Sequence, residues 1–248
     1  MSKKICTGDL PRIHALLRQA IGKSDYTDLR RMGGLTNRTY RADFPDGTKY
    51  VIRIPGEGTE EMIVRADERI STELACSLGI DTPFEVFDMA GSYESIIKSK
   101  NVPMFGDYSD TKATVMDIKR ELDAQGMSGK VPCHNDPLCE NWVVSDTDRL
   151  YLIDWEYAGM NDGMWDVAAV SIEAGYGRTE DERFLAAYLD HTPSDAERKH
   201  LLASKIYVDY LWTLWAKTRV PYDGQSMEEW AAMRYARLKA NIAELSAL

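Results

Sequence analysis

The stretch VPCHNDPLCENWVVSDTDRLYLIDWEYAG, residues 131–159, decides how the chain is read. Two apolar runs, WVV (142–144) and LYLI (150–153), flank the polar turn from Ser145 to Arg149, which is the pattern of a β-hairpin. The loop before the first run has the form HxDxxxxN, with His134, Asp136 and Asn141. Asp154 closes the second run, 13 residues after Asn141. A hairpin in this place folds Asn141 and Asp154 towards one another, beside the loop that carries Asp136. Phosphoryl transfer asks for this kind of set: one carboxylate near the attacking hydroxyl and hard oxygen ligands for Mg²⁺. Two other readings compete. The loop could be turn chemistry with Asp154 as a cap, or Cys133, His134 and Cys139 could bind zinc, although their spacing fits no usual zinc pattern.

Outward from this segment the hydrophobic period changes twice. Residues 9–22 have helical spacing, with Asp9 as N-cap, Pro11 in the first turn and Ile13, Leu16, Leu17, Ala20 and Ile21 on one face. Residues 30–56 alternate as three strands joined by short turns, with a glycine turn at Gly33 and Gly34 and a hairpin signal at Asp46 and Gly47. Residues 60–78 return to helical spacing and stop at Gly79; residues 80–88 could hold one further short strand. From about Tyr93 the chain reads as mostly helical apart from the central hairpin, and SMEEWAAMRYARLKANIAEL makes a final amphipathic helix. Sheet first and helices after is the order of an α+β protein with two lobes, divided here as 1–91 and 92–248.

The 248 residues are enough for a substantial core, and 44% hydrophobic with 28% charged residues is ordinary globular composition. A formal net charge of -10 repels polyphosphate, which argues against general affinity for nucleic acid or an anionic membrane. Cys6, Cys76, Cys133 and Cys139 form no CxxC pair and suit a reducing compartment. With no apolar stretch of signal or membrane-spanning length, a cytoplasmic protein is expected.

The segments PCHNDPLCENWVV, LYLIDWEYAGMNDGMWDVA and YLWTLWA resemble the choline/ethanolamine kinase family, in particular bacterial choline kinases. GGLTNRTYRA and YVIRIPGEGTEEMIVRADE resemble that family's first lobe. The resemblance implies a two-lobed, protein-kinase-like fold of the aminoglycoside-phosphotransferase kind, using ATP and Mg²⁺ to phosphorylate a small alcohol. By similarity, Asp136 receives or orients the substrate hydroxyl, His134 braces the loop, and Asn141 and Asp154 hold Mg²⁺. Gly33, Gly34, Thr36 and Asn37 would cover the phosphates; Arg53 would stand in the strand-lysine position, with Glu68 or Glu73 as its ion-pair partner. A trimethylammonium group donates no ordinary N–H hydrogen bond, so its recognition calls for aromatic faces and carboxylates. Trp212 and Trp215, three apart on a helix, are the candidates the resemblance selects, with Trp155, Glu156, Tyr157 and Tyr176 nearby.

The chain departs from the family in two places. Only about 40 residues, 92–130, precede the catalytic loop where the family has a longer segment containing the adenine hinge. Residues 93–100 could replace the missing strand, or a second copy of the chain in a homo-oligomer could cover the gap. Gly163 stands where the family commonly has proline. The acceptor is read as choline, with ethanolamine or an aminoglycoside as other alcohols. A kinase-like protein that binds choline or nucleotide without transferring phosphate is the non-enzymatic reading.

Overall fold

The structure, a computed structural model, describes residues 5–32, 37–56, 86–126, 129–144, 148–155 and 157–248. The chain divides into two compact units, Met1–Glu61 and Met62–Leu248.

In the first unit, helix α1 (Leu10–Ile21) packs on a three-stranded antiparallel sheet of β1 (Asp28–Arg31), β2 (Asn37–Asp43) and β3 (Lys49–Pro55), in the order β1-β2-β3. Ile13 and Leu17, one turn apart, meet Tyr40, Ala42, Ile52 and Ile54 from the sheet. Gly22 ends the helix at φ 74°, and Gly47 turns the β2–β3 hairpin at φ 80°, both in the left-handed region that favours glycine. Asp9 departs from its expected capping role. It precedes the helix, yet its side chain makes no cap hydrogen bond. Instead its buried carboxylate accepts Arg38 Nε at 2.6 Å, Arg38 Nη2 at 2.8 Å and the Tyr40 hydroxyl at 2.6 Å. A bidentate guanidinium with a buried phenol offers more than one helix N–H, and these bonds hold the carboxyl below its ordinary range.

The second unit is mainly helical. Its described elements are α2 (Val86–Ser99), α3 (Tyr108–Ala124), β4 (Lys130–Cys133), β5 (Trp142–Val144), β6 (Leu150–Leu152), β7 (Gly159–Asp162), α4 (Gly163–Glu173), α5 (Arg178–Leu189), α6 (Asp195–Asp223) and α7 (Gln225–Ser246). Helix α6 is the axis of the core, with α2, α3, α4 and α7 all packed against it. Its central residues, among them Ile206, Leu211 and Leu214, are fully buried. α2 takes in residues 86–88 of the strand expected over 80–88 and most of 93–100, where a substitute strand was proposed. Tyr93 and Ile97, one helical turn apart, both bury against this core. Residues 57–85 lie outside the described set, and with them the helix expected over 60–78, its stop at Gly79 and the rest of the strand expected over 80–88.

The expected central hairpin forms: β5 and β6 are antiparallel, with Trp142 opposite Leu152 and Val144 opposite Leu150. A second pairing went unread in the sequence. β4 and β7 lie antiparallel, Lys130 opposite Asp162 and Cys133 opposite Gly159, and so clamp the two ends of the 131–159 segment together.

Candidate active site

The loop after β4 is held by backbone-directed bonds from every side. Asp166, in the first turns of α4, accepts the backbone N–H of His134 at 2.7 Å and of Asn135 at 2.8 Å. Asn135 is completely buried at φ 66°, a left-handed conformation that asparagine tolerates better than most side chains. Its amide donates to the Tyr157 carbonyl at 2.8 Å and accepts from Asn161 at 2.9 Å, while its own carbonyl accepts the Trp165 indole N–H at 2.9 Å. Nearly every polar group of Asn135 is thus used to fix the backbone immediately before Asp136.

His134 is also buried. Its Nε2 lies 3.0 Å from the Ile153 carbonyl, an acceptor, so Nε2 carries the proton. Nδ1 is then free to accept the Asp136 backbone N–H at 3.2 Å. Burial pushes the imidazole down to about 4, so it is neutral at ordinary pH and braces the loop without adding charge. The Trp155 ring tilts against it with centroids 4.7 Å apart, and the Trp155 N–H donates to the Leu152 carbonyl at 2.9 Å.

Asn141 ends a short 3-10 turn, Cys139–Asn141, and is buried. Its Nδ2 donates to the Asp136 carbonyl at 3.0 Å, which leaves Oδ1 as the ligand-type end of the amide. Its own carbonyl accepts the Ile153 N–H at 2.9 Å, extending the β5–β6 register to the residue before Asp154. Asp154 is half-buried at φ 72°. A second non-glycine residue in the left-handed region beside Asn135 is a cost of roughly 1–3 kcal/mol that tight surroundings sustain, and such residues concentrate at functional sites. Bonds through the backbone thus link His134, Asp136 and Asn141 to one another, and join His134 and Asn141 to Ile153, the residue before Asp154.

The zinc reading finds no support here. Cys133 Sγ lies at 3.5 Å from the Asn161 carbonyl, and burial pushes its thiol up to about 12, far from the thiolate that zinc requires. Gly163 follows Asp162, whose carboxylate caps α4 at the Met164 N–H and meets His200 Nε2 at 2.6 Å. A Cβ at Gly163 would fall 2.4 Å from the Tyr188 hydroxyl and 3.1 Å from Val131 Cγ2, which gives a steric reason for glycine where proline was expected.

The aromatic residues divide into two groups. Tyr157, Trp212, Trp215 and Trp230 form a continuous edge-to-face chain with successive centroids 5.6, 5.8 and 5.8 Å apart. Tyr157, Trp212 and Trp215 are buried, at 5%, 6% and 2% exposed, and Trp230 at the end of the chain is partly buried. The Arg234 guanidinium lies over Trp230 at 4.0 Å and pairs with Glu173 and with the fully buried Asp209. Among the described residues the Trp215 indole N–H has no acceptor. Tyr176 stands apart, edge-on to Phe184 at 5.7 Å on the wall of another cavity.

Asn135, Asp166, Trp230 and Glu173 were missed in the sequence. The one available signal was Asp166, a carboxylate inside the otherwise apolar run MWDVAAV. Gly33, Gly34, Thr36, Glu68, Glu73 and Glu156 lie outside the described residues. Asn37 opens β2 and Arg53 lies opposite Thr39 in the sheet, with side chains also outside that set.

Comparison with known proteins agrees with this architecture. Residues 105–201 match the phosphotransferase enzyme family, APH. Protein LicA of Haemophilus influenzae is 29% identical over 162 residues, which are 61% of this chain and 58% of that protein. The chain thus spans little more than half the length of that curated relative. The crystal structure of choline kinase LicA from Streptococcus pneumoniae superposes with a TM-score of 0.80 at 25% identity, over 96% of this chain and 100% of that one. A choline/ethanolamine kinase family protein from Mesorhizobium loti gives 0.69 at 26% identity, over 94% of each. By its catalytic-loop motifs and its α+β architecture, the chain has the aminoglycoside-phosphotransferase fold and is similar to proteins of the choline kinase type.

Proposed function

We propose that the chain transfers the γ-phosphoryl group of ATP to the hydroxyl of a small amino alcohol, choline in the first instance, with Mg²⁺. The observation that carries this reading is the fixed loop: Asp136 is seated between the His134 ring, the Asn141 amide and the Asp166-bound backbone. Phosphoryl transfer is catalysed mainly by positioning and by compensating charge, and this loop positions without flexibility. Asp136 orients the substrate hydroxyl and receives its proton. His134, being neutral, neither competes for that proton nor repels the metal.

The donors fit Mg²⁺, which takes hard oxygens and is commonly held by one or two carboxylates together with substrate phosphates. Asn141 Oδ1 and the Asp154 carboxylate would hold it, and when bound it neutralises charge on the phosphates. Gly33, Gly34, Thr36, Asn37 and Arg53, with Glu68 or Glu73, serve the nucleotide in the amino-terminal portion, taken as 1–91.

The aromatic chain supports an ammonium-bearing acceptor. It already carries one cation, Arg234, on a ring face, and two carboxylates, Glu173 and Asp209, stand beside that cation. Tyr157, Trp212, Trp215 and Trp230 are accordingly assigned to the acceptor, together with Trp155 and Glu156, whereas Tyr176 faces the other cavity.

ADP release measured with choline, ethanolamine and aminoglycosides tests the proposal. Choline should turn over fastest, and Asp136→Asn should lower kcat by about 10²–10⁴-fold in a folded protein. Near-normal turnover by that variant removes Asp136 from the mechanism. Choline binding with no ADP release from any alcohol would replace the enzyme with a binding protein.

A further inference from the structure

A cavity of about 630 Å³ lies among α4, α5, α6 and α7, away from the catalytic loop. This volume falls within the ~300–1,000 Å³ of small-molecule sites. It is also separate from the aromatic chain: the wall residue Lys205 and Trp212 are seven positions apart on α6, about 10 Å along the axis.

Most of the charge in its wall is internally matched. Lys205 pairs with Asp181, Arg198 with Glu182 and Asp195, and Arg237 with Asp209. Three lining charges form no ion pair among the described residues: Arg178 at the start of α5, Lys199 in α6 and Glu244 near the end of α7. Two cations therefore come from one pair of helices and a lone carboxylate from a third. The Tyr176 ring lines the same space.

We propose that this cavity is a second small-molecule site, for a zwitterion bearing a phosphate at one end and an ammonium at the other. Arg178 and Lys199 take the phosphate by charge-assisted hydrogen bonds, Glu244 takes the ammonium, and the Tyr176 face accommodates N-methyl groups. A simple anion would leave Glu244 facing it uncompensated, and a simple cation would leave Arg178 and Lys199 so. A phosphorylated amino alcohol has the required pattern. Naming that class rests on the proposed kinase reaction, of which it is the product, whereas selectivity for a zwitterion does not.

Calorimetric titration of the full chain without nucleotide tests this, using phosphocholine, phosphoethanolamine, choline and inorganic phosphate. Arg178→Gln with Lys199→Gln should weaken one phosphocholine-binding event by about tenfold or more, in line with the loss of charge-assisted contacts. Glu244→Gln should weaken phosphocholine and tighten inorganic phosphate. Thermal melting checks that the variants fold. Phosphocholine binding that ignores all three substitutions, or no binding at all, overturns the site. Equal affinity for inorganic phosphate with no effect of Glu244→Gln overturns its zwitterion character. Turnover of choline, measured separately, decides the kinase reading: a wild type inactive on every alcohol yet binding phosphocholine here refutes that reading and upholds this one.

Discussion

Asp166→Asn separates the stability of the catalytic loop from its function. The wild-type carboxylate accepts two backbone N–H groups, from His134 at 2.7 Å and from Asn135 at 2.8 Å. Asparagine offers one acceptor oxygen, so its NH₂ must face the other N–H, and one charge-assisted bond of roughly 1.5–3 kcal/mol is lost. An opposing effect has similar size. Burial raises the Asp166 carboxyl from 3.8 to about 6, so the ionised form is disfavoured at its site by on the order of 3 kcal/mol. Removing the charge removes that cost. The unfolding free energy at pH 8 should therefore change by no more than about 1–2 kcal/mol, while kcat falls about 10²-fold as the segment bearing Asp136 shifts. Below about pH 6 the wild-type carboxyl is protonated and also offers a single good acceptor. Its kcat should fall along this acid limb towards that of the variant, whose own profile stays flat there. Urea unfolding and coupled ADP-release assays from pH 5 to 8 read both quantities. The reasoning is refuted by a folded variant with kcat within threefold of wild type, or by parallel pH profiles.

Acid unfolding should expose a balance between neighbours. His134, held down at about 4, contributes stability that is present above 6.5 and lost as pH falls towards 4; Asp166, raised to about 6, contributes stability that is present below 3.8 and lost as pH rises through 6. The two offset in the wild type, so Asp166→Asn should lose about 2–3 kcal/mol more than wild type between pH 7 and 4.5, and an equal loss contradicts the pairing. Gly163→Ala should cost no more than about 1 kcal/mol, because the 2.4 Å contact is with the hydroxyl end of the exposed Tyr188, which can swing aside. Tyr188→Ala in that background should recover most of it in urea unfolding; no recovery places the cost elsewhere. Trp215→Phe should raise KM for choline about 2- to 30-fold with KM for ATP unchanged, the range of one cation–π contact. A matching change in both constants points to general packing.

The local signals in this chain were readable where a single segment satisfies its own chemistry. The β5–β6 hairpin followed from two apolar runs about a polar turn, α1 followed from its apolar spacing, and the loop residues His134, Asp136 and Asn141 stood in one short template. Signals failed where two readings have similar local cost. Val86–Ser99 is a helix because Tyr93 and Ile97 find α6, and nothing within residues 80–88 reveals that partner. Asp9 has the position of an N-cap, but the better partners, Arg38 and Tyr40, arrive from 29 and 31 residues away.

What the sequence alone determined is the set of chemical groups and the hairpin that gathers them: Asp136, Asn141 and Asp154 lie within 19 positions, and strand register is a short-range property. What only the tertiary structure decided is the state of those groups. Burial makes His134 neutral, Asp166 grips the loop from 31 and 32 residues downstream, and Trp230 extends an aromatic chain begun at Tyr157. Protonation and hydrogen-bond partnership depend on which distant side chains exclude water from a site, and that is a property of packing rather than of spacing along the chain.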